Sequence, residues 1–87
     1  MYSQAVTIQN VTGLHARPAT QFVKLAATFQ SQISISTPDK NGDAKSILMV
    51  LSLGIAQGTQ VKITAEGNDE KTAVESLVEL IQSGFNQ

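Results

Sequence analysis

The chain has 87 residues, of which 41% are hydrophobic and 15% are charged, and its net charge is −1 with the histidine neutral. This length predicts one domain, spanning residues 1–87, with a thin core. The absence of cysteine excludes disulfides and thiol chemistry, and the balanced charge argues against a dedicated nucleic-acid binder. No apolar run reaches the roughly 20 residues of a membrane span and the N-terminus does not resemble a signal peptide, so we expect a cytoplasmic protein.

Hydrophobic periodicity predicts the first three elements in chain order. Residues 4–9 alternate, with Val6 and Ile8 on the apolar face, which predicts a strand. Apolar residues then recur at intervals of three and four from residue 16 to residue 29, which predicts a helix. Clean alternation over residues 32–37 predicts a second strand.

The middle of the chain is expected to form a hairpin and a short helix. Residues 38–42 are dense in turn formers, and Asn41-Gly42 is a strong hairpin signal, so a short third strand should follow around residues 43 and 44. Ser46 is a favoured N-cap and Gly54 a favoured stop, so the apolar run between them predicts a helix. A buried strand is the alternative for such a run.

The remaining elements complete the predicted fold. Residues 59–66 alternate as a strand, and a helix should begin after Asn68 or Asp69 and end at Gly84. The order is β-α-β-β-α-β-α, and the clear strands are apolar on one face only. We therefore predict an α+β fold, an open-faced β-sandwich with three helices on one face of a four-stranded antiparallel sheet.

The charges are unevenly distributed along the chain. Residues 1–62 contain five basic and two acidic residues, whereas residues 63–87 contain one basic and five acidic residues. An acidic helix with a solvated face explains this pattern. The functional alternative is that a phosphate or an acidic partner meets the positive part, which contains the only histidine, His15, and the only arginine, Arg17.

His15 should lie at the start of the first helix. Because Pro18 has no N–H, the free backbone donors nearest His15 are those of Ala16 and Arg17, which together favour an anion. Arg17 adds a cation suited to phosphate oxygens, and a neutral imidazole is a good nucleophile. These residues suggest a histidine that takes up a phosphoryl group, and the plainer alternative is that His15 only caps the helix. With one histidine and no cysteine, we expect no metal and no cofactor.

Two motifs carry a family resemblance. Gly13-Leu14-His15-Ala16-Arg17-Pro18-Ala19 resembles the active-site motif of the HPr family, the histidine-containing phosphocarriers of the bacterial phosphoenolpyruvate:sugar phosphotransferase system. Ala44-Lys45-Ser46-Ile47, continued through Ser52-Leu53-Gly54, resembles the regulatory serine region of that family. The resemblance extends over essentially the whole chain.

The resemblance implies a carrier cycle rather than an enzyme. Phosphorylated Enzyme I would pass a phosphoryl group to Nδ1 of His15, and the protein, a monomer, would pass it on to IIA domains of sugar permeases. Arg17 would steady the phosphate, and the backbone N–H groups of Ala16 and Arg17 would accept its charge. A nitrogen-branch carrier with the same chemistry and other partners is the nearest alternative.

The resemblance also implies regulation at Ser46. In the low-GC Gram-positive branch, the matching serine is phosphorylated by HPr kinase/phosphorylase, which slows transfer from Enzyme I and promotes binding to the catabolite control protein. Ile47 fits that branch, whereas Met49 departs from its usual glycine. The alternative is that Ser46 is only an N-cap. Near the end of the first helix the family often has a basic residue, whereas this chain has Ala27. The substitution would weaken electrostatic steering of partners.

The short helix has more apolar residues than it can bury. If Val50 and Leu53 face the sheet, the other large apolar residues must be partly exposed, and exposed apolar residues beside a functional group mark an interface. A helix sunk deeper into the core is the alternative. We predict a docking patch for Enzyme I and IIA domains around His15, formed by Leu14, Thr20, Lys24, Ile47, Leu48 and Leu51.

An RNA-binding or adaptor module is the alternative from another functional class. Such a module would need aromatic side chains on the open face of the sheet, where bases could stack. The four aromatic residues, Tyr2, Phe22, Phe29 and Phe85, all lie outside the three clear predicted strands. The sequence therefore disfavours this alternative.

Overall fold

The computed structural model describes residues 1–86 and contains four strands, three α-helices and a C-terminal 3₁₀ turn. The predicted order of elements, β-α-β-β-α-β-α, is confirmed. The elements are β1 (Tyr2–Thr7), α1 (Ala16–Ala27), β2 (Gln32–Ser36), β3 (Asn41–Asp43), α2 (Ile47–Ser52), β4 (Gln60–Glu66), α3 (Glu70–Gln82) and the turn Gly84–Asn86.

The four strands form one antiparallel sheet in the order β1-β4-β2-β3. Alternate residues of each strand face the helices, so Val6 pairs with Val61 and Ile35 with Ile63 on the buried face. The other face carries polar residues, as the predicted open-faced sandwich requires. The largest fully buried side chains belong to Phe22, Phe85, Ile8, Ile35, Ile63, Leu77, Ile81, Val50, Val61 and Val74.

Several predicted boundaries differ from the observed ones by two residues. The first strand begins and ends two residues earlier than predicted, although Val6 and Ile8 are buried as expected. α1 ends at Ala27 rather than at Phe29, with Thr28 as its C-cap.

The predicted short helix after Ser46 is confirmed, so the alternative of a buried strand is wrong.

The hairpin turn lies before Asn41-Gly42 rather than at it. The N–H of Thr37 donates to the carbonyl of Lys40 at 2.8 Å, and both residues of the Asn-Gly pair belong to β3. Gly42 is buried there, and a Cβ on it would lie 3.4 Å from Cβ of Met49. The glycine therefore allows α2 to pack closely over β3, a tertiary reason that a local turn signal does not reveal.

α3 begins at Glu70, directly after Asp69 as predicted, and ends at Gln82, just before Gly84. Asp69 occupies the N-cap position, but its side chain does not cap the helix. It instead accepts hydrogen bonds from the backbone N–H groups of Gln30 and Ser31, at 2.9 and 3.0 Å, and from the Ser31 hydroxyl. After Gly84, the chain turns back so that Phe85, with a left-handed φ of 58°, is buried in the core.

Candidate functional site

The loop between β1 and α1 is fixed against the segment that precedes β4. Gly13 N–H donates to the carbonyl of Asn10 at 3.0 Å, and Leu14 N–H donates to the carbonyl of Ile55 at 2.9 Å. Gly13 has a φ of +63°, and a Cβ on it would lie only 2.5 Å from the Ile55 oxygen. The close approach therefore requires glycine here, and it sets the position from which α1 begins.

His15 is the N-cap residue of α1, as predicted, but its side chain does not cap the helix. Its backbone is extended, with φ −84° and ψ −168°, and its side chain is exposed and makes no capping hydrogen bond. The interpretation of His15 as only a helix cap is therefore not supported. The imidazole is free to meet a group arriving from solvent.

The first turn of α1 presents two open backbone donors beside this imidazole. The N–H of Ala19 donates to the carbonyl of His15 at 2.8 Å, and Pro18 has no N–H to offer. The N–H groups of Ala16 and Arg17 find no acceptor within residues 1–86. These unpaired donors lie at the N-terminus of α1, a helix of twelve residues, and the site therefore favours an anion.

Arg17 adds a positive charge beside His15. Its side chain is exposed and makes no ion pair with any residue of the described part of the chain. A guanidinium in this position can donate to two oxygens of one phosphoryl group. The site thus combines a nucleophile, two backbone donors and a cation within three consecutive residues.

Two shallow depressions flank His15. One is lined by residues of the loop and of the first turn of α1, and the other extends from the loop to the end of α2. Val11 and Thr12, which the sequence did not single out, line the first, and Thr12 also lines the second. The second depression brings Leu51 of α2 beside His15, as the predicted docking patch requires.

α2 exposes three large apolar side chains, which we call the apolar patch. Leu48 is 77% exposed, Met49 44% and Leu51 40%, whereas Val50 is fully buried against the sheet. The expectation that the helix cannot bury all its apolar residues is confirmed, and the alternative of deeper burial is wrong. Ile47 is only partly exposed and packs against the core.

The remaining residues of the predicted docking patch divide into two groups. Thr20 and Lys24 are exposed on α1, where Thr20 Oγ1 donates to the Ala16 carbonyl at 2.7 Å. Leu14 does not lie on the surface, because its side chain packs into the core and is only 4% exposed. Leu14 therefore supports the loop by packing beneath it and is not accessible to a partner.

The comparisons with known proteins identify the family. The family model described as PTS HPr component phosphorylation site matches residues 2–83. The chain belongs to the HPr family. It is therefore a phosphocarrier of the phosphotransferase system, as the sequence motifs suggested.

Relatives match this HPr-family chain over nearly its whole length. The phosphocarrier protein HPr of Haemophilus influenzae is 48% identical over 81 residues, which are 93% of this chain and 95% of that protein. The crystal structure of HPr-C-His from Thermoanaerobacter tengcongensis has a TM-score of 0.97 at 48% identity, covering 100% of this chain and 98% of that one. An HPr dimer from the same organism has a TM-score of 0.80 at 48% identity, with all of both chains covered.

Ser46 is the N-cap of α2. Its backbone is extended and its Oγ accepts a hydrogen bond from the N–H of Met49 at 3.3 Å. The neighbouring Lys45 is not free, because its Nζ donates to the carbonyl of Phe29 at 2.7 Å. The cap role of Ser46 is confirmed, and the hydroxyl stands directly before the apolar patch.

The open face of the sheet lacks the aromatic platform of an RNA-binding module. Within residues 1–86, the outward positions of the strands carry no aromatic side chain; they hold Ala5 and otherwise serine, threonine, asparagine, glutamine, lysine and acidic side chains. Tyr2 instead pairs with Ala65 on the helix-covered side and packs against the core. The described residues also contain no group of three or more metal-ligating side chains and no helix long and apolar enough to cross a membrane.

Proposed function

We propose that this protein carries a phosphoryl group on Nδ1 of His15, accepted from phosphorylated Enzyme I and donated to IIA domains of sugar permeases. The observation that carries the proposal is an unbonded, exposed imidazole at the start of α1, beside the unpaired N–H groups of Ala16 and Arg17. In the accepting step, the Nδ1 lone pair forms a bond to phosphorus while the bond to the donor breaks. The electron pair of the broken bond stays with the donor.

The surrounding groups stabilise the phosphorylated form. The Ala16 and Arg17 N–H groups and the positive end of α1 receive the negative oxygens, and the guanidinium of Arg17 neutralises part of their charge. These donors are already in place in the unphosphorylated protein, so little reorganisation is needed on transfer.

The site also favours transfer to a partner over hydrolysis. Among residues 1–86, no aspartate or glutamate lines either depression beside His15. A carboxylate there would be the ordinary general base for activating water toward the phosphorus. Without one, the phosphoryl group should last until a partner covers it.

The apolar patch and the basic side chains of α1 suit the proposed partners. Leu48, Met49 and Leu51 offer an exposed apolar area that reaches His15 at Leu51, and Arg17 and Lys24 are exposed basic side chains of α1. An interface with an apolar centre and charged rim would orient an acidic partner toward the imidazole. Cytoplasmic location follows from this role.

Ser46 supports a second proposal, in which an ATP-dependent HPr kinase/phosphorylase modifies its hydroxyl and the catabolite control protein then binds. A phosphate at this N-cap would add negative charge immediately before the apolar patch. Because Enzyme I would dock on the same surface, the added charge would slow transfer to His15. Phosphorylation at Ser46 would thus act by repulsion at the interface, without unfolding α2.

The oligomeric state is a separate proposal. We expect a monomer, since the apolar patch must stay free for partners, whereas one relative with 48% identity forms a dimer. Light scattering after size exclusion, at several protein concentrations, distinguishes the two states. A concentration-independent mass of twice the chain would contradict the monomer.

The carrier proposal is tested by incubating the protein with phosphoenolpyruvate and Enzyme I. The parent should gain an acid-labile, base-stable phosphoryl group, and His15→Ala should gain none. The nitrogen-branch alternative is tested by offering the phosphorylated protein to IIA domains of sugar permeases and of the nitrogen branch separately. Absence of label on the parent, or equal label on the variant, would overturn the carrier proposal.

The Ser46 proposal has its own assay and a matched control on the same helix. Incubation with ATP and HPr kinase should give an acid-stable phosphate on the parent and on Ser52→Ala, but not on Ser46→Ala. Ser52 is the suitable control because it is an exposed serine of α2 whose hydroxyl donates to the Met49 carbonyl at 2.7 Å. A parent that stays unmodified would refute this regulation without touching the carrier role.

A further inference from the structure

Met49 brings a thioether into the apolar patch. The chain contains two methionines, Met1 and Met49, and no cysteine, so these two side chains hold its only sulfur atoms. Met49 is 44% exposed and can therefore meet small molecules in solvent. Its side chain lies over β3, because a Cβ on Gly42 would be 3.4 Å from Cβ and 3.7 Å from Cε of Met49. The thioether is thus an accessible group in a defined place.

Both backbone polar groups of Met49 are bonded to serine hydroxyls. Its N–H donates to Oγ of Ser46 at 3.3 Å, and its carbonyl accepts from Oγ of Ser52 at 2.7 Å. Neither hydrogen bond involves the thioether. A chemical change confined to the sulfur should therefore leave α2 folded and act at the surface alone.

Met49 lies within reach of any partner that docks over His15. Successive residues of a helix are turned by about 100°, so Leu48 lies between Met49 and Leu51, which lines a depression beside His15. α2 has six residues and is only about 9 Å long. A typical interface covers about 800 Å² on each partner, a surface roughly 30 Å across. A partner centred on His15 should therefore cover Met49 as well.

We propose that Met49 is an oxidation site through which a peroxide weakens the docking of partners. The proposal rests on the proposed carrier function of His15. In the modification, a lone pair of Met49 Sδ attacks one oxygen of hydrogen peroxide and the O–O bond breaks. The departing oxygen takes the proton of the transferred one and leaves as water. The sulfur is oxidised to a sulfoxide, and the peroxide is reduced.

The sulfoxide would change the chemistry of the apolar patch. It replaces an apolar group by a polar one, whose oxygen accepts hydrogen bonds from water. A partner that covers the patch must remove this water and oppose the oxygen with an apolar surface, which lowers affinity. Methionine sulfoxide reductases reverse the change, since two thiols form a disulfide and the oxygen leaves as water. Oxidation at Met49 would thus control docking reversibly and independently of Ser46.

The test measures phosphoryl transfer from Enzyme I to the protein before and after treatment with hydrogen peroxide, which is removed with catalase before the assay. Mass spectrometry of proteolytic fragments should locate one added oxygen on Met49. The KM of Enzyme I for the oxidised protein should rise roughly tenfold with kcat unchanged, the size expected for a buried polar group without a partner. Treatment with methionine sulfoxide reductases should restore the original KM.

Met49→Leu is the matched control, because it leaves Met1, which is 80% exposed, as the only methionine. The KM of this variant after peroxide should equal its own KM before peroxide. Urea unfolding of the oxidised parent should match that of the untreated parent, which separates an effect on docking from a loss of helix α2.

Four results would overturn the inference alone. They are a Met49 that stays unmodified while Met1 is oxidised, an unchanged KM of the oxidised parent, an equal rise of KM in Met49→Leu, and a lower stability of the oxidised parent in urea. An untreated parent that takes no phosphoryl group from Enzyme I would overturn the carrier function, and the inference with it.

Discussion

Gly13 offers the sharpest test of how the loop before His15 is held. Alanine at this position must adopt a φ of +63°, and its Cβ would lie 2.5 Å from the oxygen of Ile55 and 2.8 Å from Cα of Ala56. Both contacts are with backbone atoms, which cannot rotate aside as a side chain would. The loop would therefore have to move away and lose the 2.9 Å hydrogen bond from Leu14 N–H to the Ile55 carbonyl.

The expected cost is the sum of two effects. The left-handed conformation costs about 1–2 kcal/mol for a non-glycine residue. Loss of the Leu14 hydrogen bond adds about 1 kcal/mol. We therefore expect Gly13→Ala to lower the free energy of unfolding by about 2–3 kcal/mol.

Gly54 provides the matched control for this change. Its φ is +61°, almost the same as that of Gly13, but a Cβ on it would have open space within 4 Å. Gly54→Ala should therefore cost only the conformational part, about 1–2 kcal/mol. Urea unfolding of the two variants and the parent measures both losses, and equal losses would refute the proposed role of the close contact with residues 55 and 56.

Three further predictions concern the rest of the molecule. Hydrogen bonds, led by that from the Ser31 hydroxyl, lower the pKa of Asp69, so the stability from this carboxylate is present above its unfolded pKa and is lost as the pH falls through its folded pKa. Asp69→Asn should therefore flatten the acid side of the stability profile in urea unfolding, and an unchanged slope would contradict this. Ser46→Ala removes an N-cap and should lower the free energy of unfolding, measured with urea, by about 1 kcal/mol. This loss should exceed that of Ser52→Ala, and a loss smaller than that of Ser52→Ala would refute the stabilising role of the cap. Leu48→Ser should leave unfolding within about 0.5 kcal/mol of the parent but weaken Enzyme I binding in calorimetry, and unchanged affinity would remove Leu48 from the interface.

Local signals in the sequence predicted the centre of the site correctly. The helical period from Ala16 and the position of Pro18 placed His15 at the N-cap with two open donors, and the structure confirms that placement. These features depend on residues adjacent in sequence, so no tertiary information was needed. The same holds for Ser46, whose hydroxyl caps the helix that it precedes.

The errors arose where distant segments meet. Leu14 was expected at the surface but is buried, because the Ile55 segment holds the loop against the core. Asn41-Gly42 was expected to be a turn, but Gly42 lies in a strand beneath Met49. Thr12 gave no sequence signal at all, since its place beside His15 depends on how the loop folds.

The central claim is that a phosphoryl group on Nδ1 of His15 is held by the first turn of α1. The most direct measurement is NMR of the ¹⁵N-labelled protein before and after phosphorylation by Enzyme I. Bond formation should appear at Nδ1, and the backbone N–H resonances of Ala16 and Arg17 should move more than those at the far end of α1. Phosphorylation at Nε2, or unchanged Ala16 and Arg17 resonances, would contradict the account.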